Sequence, residues 1–113
     1  MNILFIGDIF GSAGRRIVRE HIGHLRAAHN VELTIINAEN AAGGFGLTPQ
    51  LAEDLFDLGA DVLTTGNHVW DKRELIDTMN AAPAACCGRS ICNRTCPAMA
   101  STRGAPKAAW STR

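Results

Sequence analysis

The sequence lacks the features that would place a protein in a membrane, on a nucleic acid or outside the cell. No apolar run approaches the roughly 18 residues that a helix needs to cross a bilayer. Its 11 basic and 11 acidic residues leave no formal net charge, which argues against a general binder of nucleic acids or membrane surfaces. The apolar N-terminus has no basic region and is interrupted by Asp8, so it is typical of a buried strand rather than a signal peptide. These absences predict a cytoplasmic protein that forms no stable complex with nucleic acid.

Other absences divide the chain into two segments. Residues 1–80 contain all 11 acids and all four histidines but no cysteine, whereas residues 81–113 contain four cysteines, five basic residues and nine alanines but no acid. The total of 113 residues is enough for one small domain or for part of a larger one. We therefore predict the N-terminal part of a globular domain over residues 1–85 and an atypical tail over residues 86–113.

Apolar runs and helical patterns alternate through the first segment. Strand-like runs occupy residues 2–7, 31–37 and 60–66, and the segments with helical spacing are about 12–29, 48–58 and 71–79. Thr48 and Pro49 form a helix start, and Asp71 is the predicted cap of the third helix. The order β-α-β-α-β-α, with right-handed crossovers, predicts an α/β fold built on a layered sheet.

Each of the three predicted strands ends on polar side chains. Asp8 follows the first strand, Glu39 and Asn40 follow the second, and Asn67 and His68 follow the third. In parallel α/β sheets, ligands bind at the carboxyl ends of the strands. If the three strands are neighbours, a strand spacing of about 4.8 Å gathers the five side chains into one cleft.

These five side chains offer oxygen and imidazole donors and no thiol. Such a set favours Mn, Fe, Mg or Zn and disfavours copper(I) or an iron–sulfur cluster. A carboxylate such as Glu39 can bridge two metals about 3.5–4 Å apart, which suits attack on phosphorus. His68 carries an imidazole, a side chain that can protonate a leaving alkoxide.

Each of these residues also has a structural interpretation. Asp8 alone is typical of a turn or cap, the pair Glu39 and Asn40 of a polar loop, and His68 of a solvated or capped side chain. Turn chemistry rarely puts ligand-type side chains at three strand ends together, so the joint pattern favours a functional site. The other three histidines fall in the first predicted helix and are predicted to be structural: His21, His24 and His29.

Three blocks of this sequence resemble a known group of enzymes. "GDIFG", "NAENAAGGFGLT" and "TTGNHVWD" are similar to the signature blocks of bacterial calcineurin-like metallophosphoesterases, and within them to the YmdB-like 2′,3′-cyclic-nucleotide 2′-phosphodiesterases. The resemblance covers about residues 1–85. It implies the N-terminal half of an α/β/β/α sandwich and a hydrolase that acts on cyclic nucleotides or other small phosphodiesters.

The resemblance also implies a role for each strand-end residue. Asp8 and Asn40 would bind a first metal, Glu39 would bridge both metals, and Asn67 would bind the second. His68 would donate a proton to the leaving group. The cofactors would be two divalent ions, iron or manganese in the family.

Members of that family are much longer and supply further histidine ligands from a second half, whereas this chain has no histidine after His68. We therefore expect an incomplete metal site, a truncated chain that is weakly active or inactive, and exposed core that promotes self-association.

The cysteines of the tail have three interpretations. A zinc site is disfavoured because C-C-x4-C-x3-C is not a usual zinc spacing, and a disulfide is disfavoured by the cytoplasmic prediction. Written as codons and read one nucleotide out of phase, this stretch can yield an apolar segment that resembles the family's, so we favour a frameshifted, non-native tail from about residue 86. The cysteines concerned are Cys86, Cys87, Cys92 and Cys96.

The rival hypothesis from the sequence is a non-catalytic, Rossmann-like nucleotide-binding module. It would use "GDIFGSAG" as its phosphate loop. That stretch lacks the G-x-G-x-x-G pattern, and no acid lies about 20 residues further on at the expected strand end.

Overall fold

The computed structural model describes residues 1–81 and 90–92. A parallel sheet of four strands runs in the order β1-β2-β3-β4. The strands are β1 (Ile3–Ile6), β2 (Leu33–Asn37), β3 (Val62–Thr64) and β4 (Ser90–Cys92), and the helices are α1 (Gly11–Ala28), α2 (Pro49–Asp57) and α3 (Arg73–Ala81). A 3₁₀ helix, Gly66–Asp71, separates β3 from α3. The predicted α/β alternation is confirmed.

Helix α2 begins and ends on the residues that its sequence predicts. The Thr48 hydroxyl accepts a hydrogen bond from the Leu51 amide at 3.3 Å, and Pro49 occupies the first helical position. Beyond its end, Gly59 adopts a φ of 113°, a conformation that favours glycine. Local chemistry therefore fixes the position of this helix in the chain.

Helix α1 is the longest helix and has no side-chain cap at its N-terminus. Its buried side chains, Val18 and Ile22, recur at helical spacing, so packing rather than capping holds this helix. At its other end Arg26 donates hydrogen bonds to the Gly59 carbonyl and, at 3.1 Å, to the Thr34 hydroxyl. No helix in residues 1–81 combines the length and apolar character needed to cross a membrane.

The predicted start of the third helix is wrong. The chain after β3 first forms the 3₁₀ helix, and α3 begins at Arg73 rather than directly after Asp71. Asp71 does not cap α3, because its carboxylate lies 2.6 Å from Nδ1 of His68 inside the 3₁₀ helix. A side chain within the turn thus competes with the helix for this carboxylate.

One strand lies in the segment predicted to be an atypical tail. β4 pairs in parallel with β3, with Ile91 beside Leu63. Of the four cysteines, Cys92 belongs to β4, and the other three lie outside the described residues, as does most of the tail. The interpretations of the tail therefore stay predictions.

The core lies on one face of the sheet. Neighbouring strands align Ile6, Ile36, Leu63 and Ile91 in one row. Ile36 and Leu63 are fully buried, and the two outer members of the row pack against the same cluster. Right-handed crossovers that always step to the next strand place the connecting helices on this single face. The helices supply the rest of the core from the following residues: Val18, Ile22, Ala52, Leu55, Phe56 and Leu75.

The opposite face of the sheet is apolar and only partly buried. We call it the open face and define it by Ile3, Phe5, Leu33, Ile35 and Val62, which share one side because strand side chains alternate. Ile3 is 53% and Phe5 61% exposed, and the other three are half-buried. None of the open-face residues belongs to the core cluster. Within the described residues, the sheet therefore has one layer of helices and not two.

Candidate active site

The three polar strand ends meet at one edge of the sheet. β1, β2 and β3 are parallel neighbours, which confirms the adjacency on which the predicted cleft depends. Backbone hydrogen bonds continue beyond the strands, from the Ile9 amide to the Asn37 carbonyl at 3.1 Å and from the Ala38 amide to the Thr64 carbonyl at 2.8 Å. The loops that follow the strands are thus tied together where they carry the candidate residues.

Asp8 and Asn40 form the first pair of site residues. The Asn40 side-chain amide donates a hydrogen bond to Oδ1 of Asp8 at 2.7 Å, and the Asn40 carbonyl accepts one from the Gly11 amide at 3.0 Å. Asp8 is exposed and Asn40 is half-buried. The pair therefore joins the first and second strand ends and keeps a carboxylate open to solvent.

Glu39 and His68 form the second pair. Nε2 of His68 lies 3.9 Å from Oε1 of Glu39, and their side chains are 28% and 24% exposed, with His68 the more exposed of the two. The Glu39 amide donates a hydrogen bond to the Asn37 side chain at 3.0 Å, which fixes the start of this loop. Because Glu39 and Asn40 are adjacent in the chain, the two pairs share one edge of the sheet.

Gly66 makes room for the Glu39 carboxylate. Its φ is 54°, and a Cβ placed on it would lie 2.6 Å from Cδ of Glu39, closer than any stable contact. A side chain here would therefore displace the carboxylate. Sequence reasoning missed this role, although the glycine directly precedes Asn67 and His68 in the third block.

Asp71 was also missed as a site residue. Its Oδ2 atom lies 2.6 Å from Nδ1 of His68. An ionised carboxylate only accepts hydrogen bonds, so Nδ1 carries a proton and Nε2 is left to face Glu39. The three-residue spacing from His68 to Asp71 was the available signal, but the prediction of a helix cap at Asp71 hid it.

Asn67 is the one predicted ligand that the structure does not bring into contact with the others. It is exposed, and among the described residues its side chain makes no hydrogen bond. The carboxylates, amides and imidazole suit a hard or borderline divalent cation in donor type. Within residues 1–81 and 90–92, however, no three His, Cys, Asp or Glu side chains are grouped closely enough to hold a metal. The residues thus supply two donor pairs and not a complete ligand cage.

The loop after Glu39 is closed by backbone hydrogen bonds. The Gly46 amide donates to the Glu39 carbonyl at 2.7 Å, and the Gly44 amide donates to the Asn40 carbonyl at 3.1 Å. Ala41 and Leu47 are fully buried at its two ends. The loop therefore has a fixed shape, and its glycines adopt the left-handed conformations that this shape needs.

Thr65 joins β3 to the 3₁₀ helix and is fully buried. Its hydroxyl has no hydrogen-bond partner among the described residues, which is uncommon for a buried polar group. Sequence reasoning assigns no role to Thr65, and its contacts in the structure do not supply one.

Parallel strands and a helical layer on one face define an α/β protein, and its carboxylate, amide and imidazole side chains at one sheet edge form a candidate site at the strand ends. Comparison with known proteins narrows this class. A family model described as YmdB-like protein matches residues 4–89, well over half of the chain. The chain therefore belongs to the YmdB-like family, which confirms the resemblance of its three sequence blocks.

Similar proteins agree with this family. A 2′,3′-cyclic-nucleotide 2′-phosphodiesterase of Bacillus subtilis is 48% identical over 83 residues, which are 74% of this chain and 31% of that protein. A crystal structure of a hypothetical protein from Thermus thermophilus gives a TM-score of 0.64 at 38% identity, and covers 71% of this chain and 31% of that one. A crystal structure of a phosphatase from Mycoplasma pneumoniae gives a TM-score of 0.65 at 37% identity, and covers 69% of this chain and 28% of that one. The chain thus spans about a third of the length of these relatives.

Proposed function

We propose that this chain carries the N-terminal part of a metal-dependent phosphodiesterase that hydrolyses cyclic nucleotides or other small phosphodiesters through a dinuclear metal site. The observation that carries the proposal is the meeting of Asp8–Asn40 and Glu39–His68 at one sheet edge, at 2.7 Å and 3.9 Å respectively. The name of the Bacillus subtilis relative supports the substrate class.

Each residue has a distinct role in this proposal. Asp8 and Asn40 would hold one metal, Asn67 would hold the other, and Glu39 would be shared between them. Iron or manganese is the expected pair, and Mg or Zn also suits the donors. When bound, two such ions polarise the phosphate and activate a water molecule for attack on phosphorus.

Proton transfer to the leaving oxygen falls to His68. Asp71 accepts the hydrogen bond from Nδ1, so the imidazolium form of His68 would deliver its Nε2 proton to the leaving oxygen and return to the neutral ring protonated at Nδ1. General acid catalysis of this kind is typically worth about 10²–10⁴ in rate. Asp71 acts through His68 and is a positioning residue.

The open face supports the larger fold that the resemblance implies. An apolar sheet face with Phe5 at 61% exposure is suited to pack against a second sheet about 10 Å away. The relatives extend well beyond the region that they share with this chain. We propose that a corresponding extension supplies the second sheet, completes an α/β/β/α sandwich and adds the missing metal ligands.

The truncation is a separate proposal with its own test. We expect the 113-residue chain to bind metal weakly and to turn over little substrate, because its ligand set is incomplete. Sequencing of the coding DNA past codon 85 decides the origin of the tail. A frameshift requires that the shifted frame restore apolar strand patterns and later histidine codons.

The functional test uses this chain extended to the length of its relatives. The extended protein should bind about two divalent ions and cleave bis(p-nitrophenyl) phosphate. Glu39→Gln should lower both metal content and turnover, whereas His68→Ala should lower turnover by about 10²-fold or more and retain metal. Glu20→Gln and His24→Ala change exposed residues of α1 and serve as matched controls.

The same variants distinguish the proposed phosphodiesterase from the rival hypothesis. A non-catalytic nucleotide-binding module predicts that nucleotides bind without turnover and that Glu39→Gln leaves binding unchanged. Unchanged turnover in Glu39→Gln would exclude the dinuclear site.

A further inference from the structure

Two phenylalanines beside the candidate site are unusually exposed. Phe45 is 62% and Phe10 63% exposed, although each lies within a few residues of a proposed metal ligand in the chain. Apolar rings that remain in water near a polar site often mark a place where a ligand binds. Both rings belong to loops that are tied to the sheet edge, so their exposure is a property of an ordered part of the structure.

Phe45 is held in place at the tip of a closed loop. The Ala42 amide donates a hydrogen bond to the Gly46 carbonyl at 2.9 Å across the base of this tip. The Phe45 ring contacts the His68 ring edge to face, with centroids 5.5 Å apart and an angle of 64° between planes. The ring therefore lies next to the proposed proton donor, and the turn fixes its direction.

Phe10 reaches the same loop from the first strand end. Its ring lies against Gly44, where a Cβ would be 2.8 Å from Cζ of Phe10, and Gly44 adopts a φ of 103°. Only a residue without a side chain allows this approach. Since Phe45 follows Gly44 in the chain, Phe10 packs against the residue that directly precedes Phe45.

We propose that Phe10 and Phe45 form an aromatic surface that binds the base of a nucleotide substrate while the strand-end residues bind its phosphodiester. Stacking on phenylalanine favours flat aromatic groups and tolerates all four bases. The site therefore prefers phosphodiesters that carry a nucleobase over those that carry only a sugar or an alkyl group. This inference rests on the proposed function and adds the specificity-determining residues.

The test is a binding measurement on the 113-residue chain in buffer with Mg²⁺. The probes are adenosine 3′-monophosphate, ribose 3-phosphate and adenosine, and affinity is read from NMR titration of the protein amides. We expect adenosine 3′-monophosphate to bind about tenfold more tightly than ribose 3-phosphate, in line with the stacking of one base on an aromatic side chain. Saturation transfer from the unmodified protein should reach the base protons more strongly than the ribose protons.

Variants identify the rings that contribute. Phe45→Leu and Phe10→Leu should each weaken binding of adenosine 3′-monophosphate by about five- to tenfold and leave ribose 3-phosphate unchanged. Phe5→Leu is the matched control, because Phe5 is 61% exposed but lies on the open face; it should change neither affinity. Circular dichroism of each variant establishes that it is folded.

The outcomes separate this inference from the proposed function. If ribose 3-phosphate binds as tightly as the nucleotide, and base protons receive no saturation, the aromatic surface is disproved while the phosphate site stands. If neither phosphate compound binds, the aromatic surface is likewise disproved for this chain, and the proposed function is decided by the separate test on the extended protein. If the two leucine variants lose solubility or stability but keep the preference for the nucleotide, the rings serve packing and the inference is overturned.

Discussion

His68 is held by carboxylates on both sides of its ring. Asp71 lies 2.6 Å from Nδ1 and Glu39 lies 3.9 Å from Nε2. The shorter contact decides the orientation of the ring, because a hydrogen bond at that distance fixes both the proton and the plane. At the longer distance, Nε2 makes no direct hydrogen bond to Glu39. One nitrogen of the His68 ring thus makes a structural contact with Asp71, and the other is the nitrogen of the proposed proton donor.

Replacement of Asp71 by asparagine should alter the protonation pattern of the His68 ring. An asparagine amide can donate to Nδ1, which permits the tautomer with its proton on Nε2. We expect the fraction of neutral rings protonated at Nδ1 to fall, measured from the ¹⁵N shifts of the ring at high pH. Asp77→Asn, an exposed change on α3, should have no effect. An unchanged pattern in Asp71→Asn would remove Asp71 from the site.

Two glycines with the same backbone conformation allow a matched comparison. Gly66 has a φ of 54° and Gly11 a φ of 53°, but only Gly66 has neighbours within 4 Å of an added Cβ, all in Glu39. Alanine at either position costs about 1 kcal/mol for the left-handed backbone. We expect Gly66→Ala to lower the free energy of unfolding in urea by at least about 1 kcal/mol more than Gly11→Ala. Equal losses would mean that Glu39 moves aside freely.

At the scale of elements, the sequence predicted the structure well where an element is set by residues close to it in the chain. Helix α2 was predicted well because Thr48, Pro49 and Gly59 act within one turn of its ends. The positions of Asp8, Glu39 and Asn40 followed from strand ends in a parallel sheet. The 3₁₀ helix and the contacts of Phe45 depend on neighbours that only the folded chain brings together, so no pattern in the sequence revealed them.

The contribution of one such local interaction, the N-cap of α2, can be measured directly. Thr48→Ala removes the acceptor for the Leu51 amide and should destabilise the chain by about 1 kcal/mol. Thr48→Ser keeps a hydroxyl in the same place and should cost much less. Urea unfolding followed by circular dichroism measures both. A Thr48→Ala variant as stable as the parent would show that packing alone holds this helix.

At the scale of the whole molecule, the open face is the dominant unpaired surface of the described residues. Its apolar side chains lie on the side of the sheet away from the core cluster. Such a surface favours association with another apolar surface. In a protein as long as the relatives, the rest of the chain is the proposed partner, and in the isolated 113-residue chain we expect a second copy to take its place.

Self-association through the open face is therefore expected for this chain. Sedimentation velocity should show a species larger than the monomer whose proportion grows with concentration. Phe5→Lys places a charge on the open face and should shift the distribution toward monomer. Ile17→Lys is the control, because Ile17 is 57% exposed on α1 and lies outside the open face. If both variants act alike, association is unspecific.

The strand order has a consequence for how a longer protein with this N-terminal part would fold during its synthesis. Each strand pairs with its neighbour in chain order, across a separation of 27–30 residues, so this sheet needs no strand from further along a longer protein. The sheet can fold on the ribosome while the downstream polypeptide is still being synthesised. We expect the later half of such a protein to dock on the open face, and the nascent chain to be prone to association with other molecules until it does.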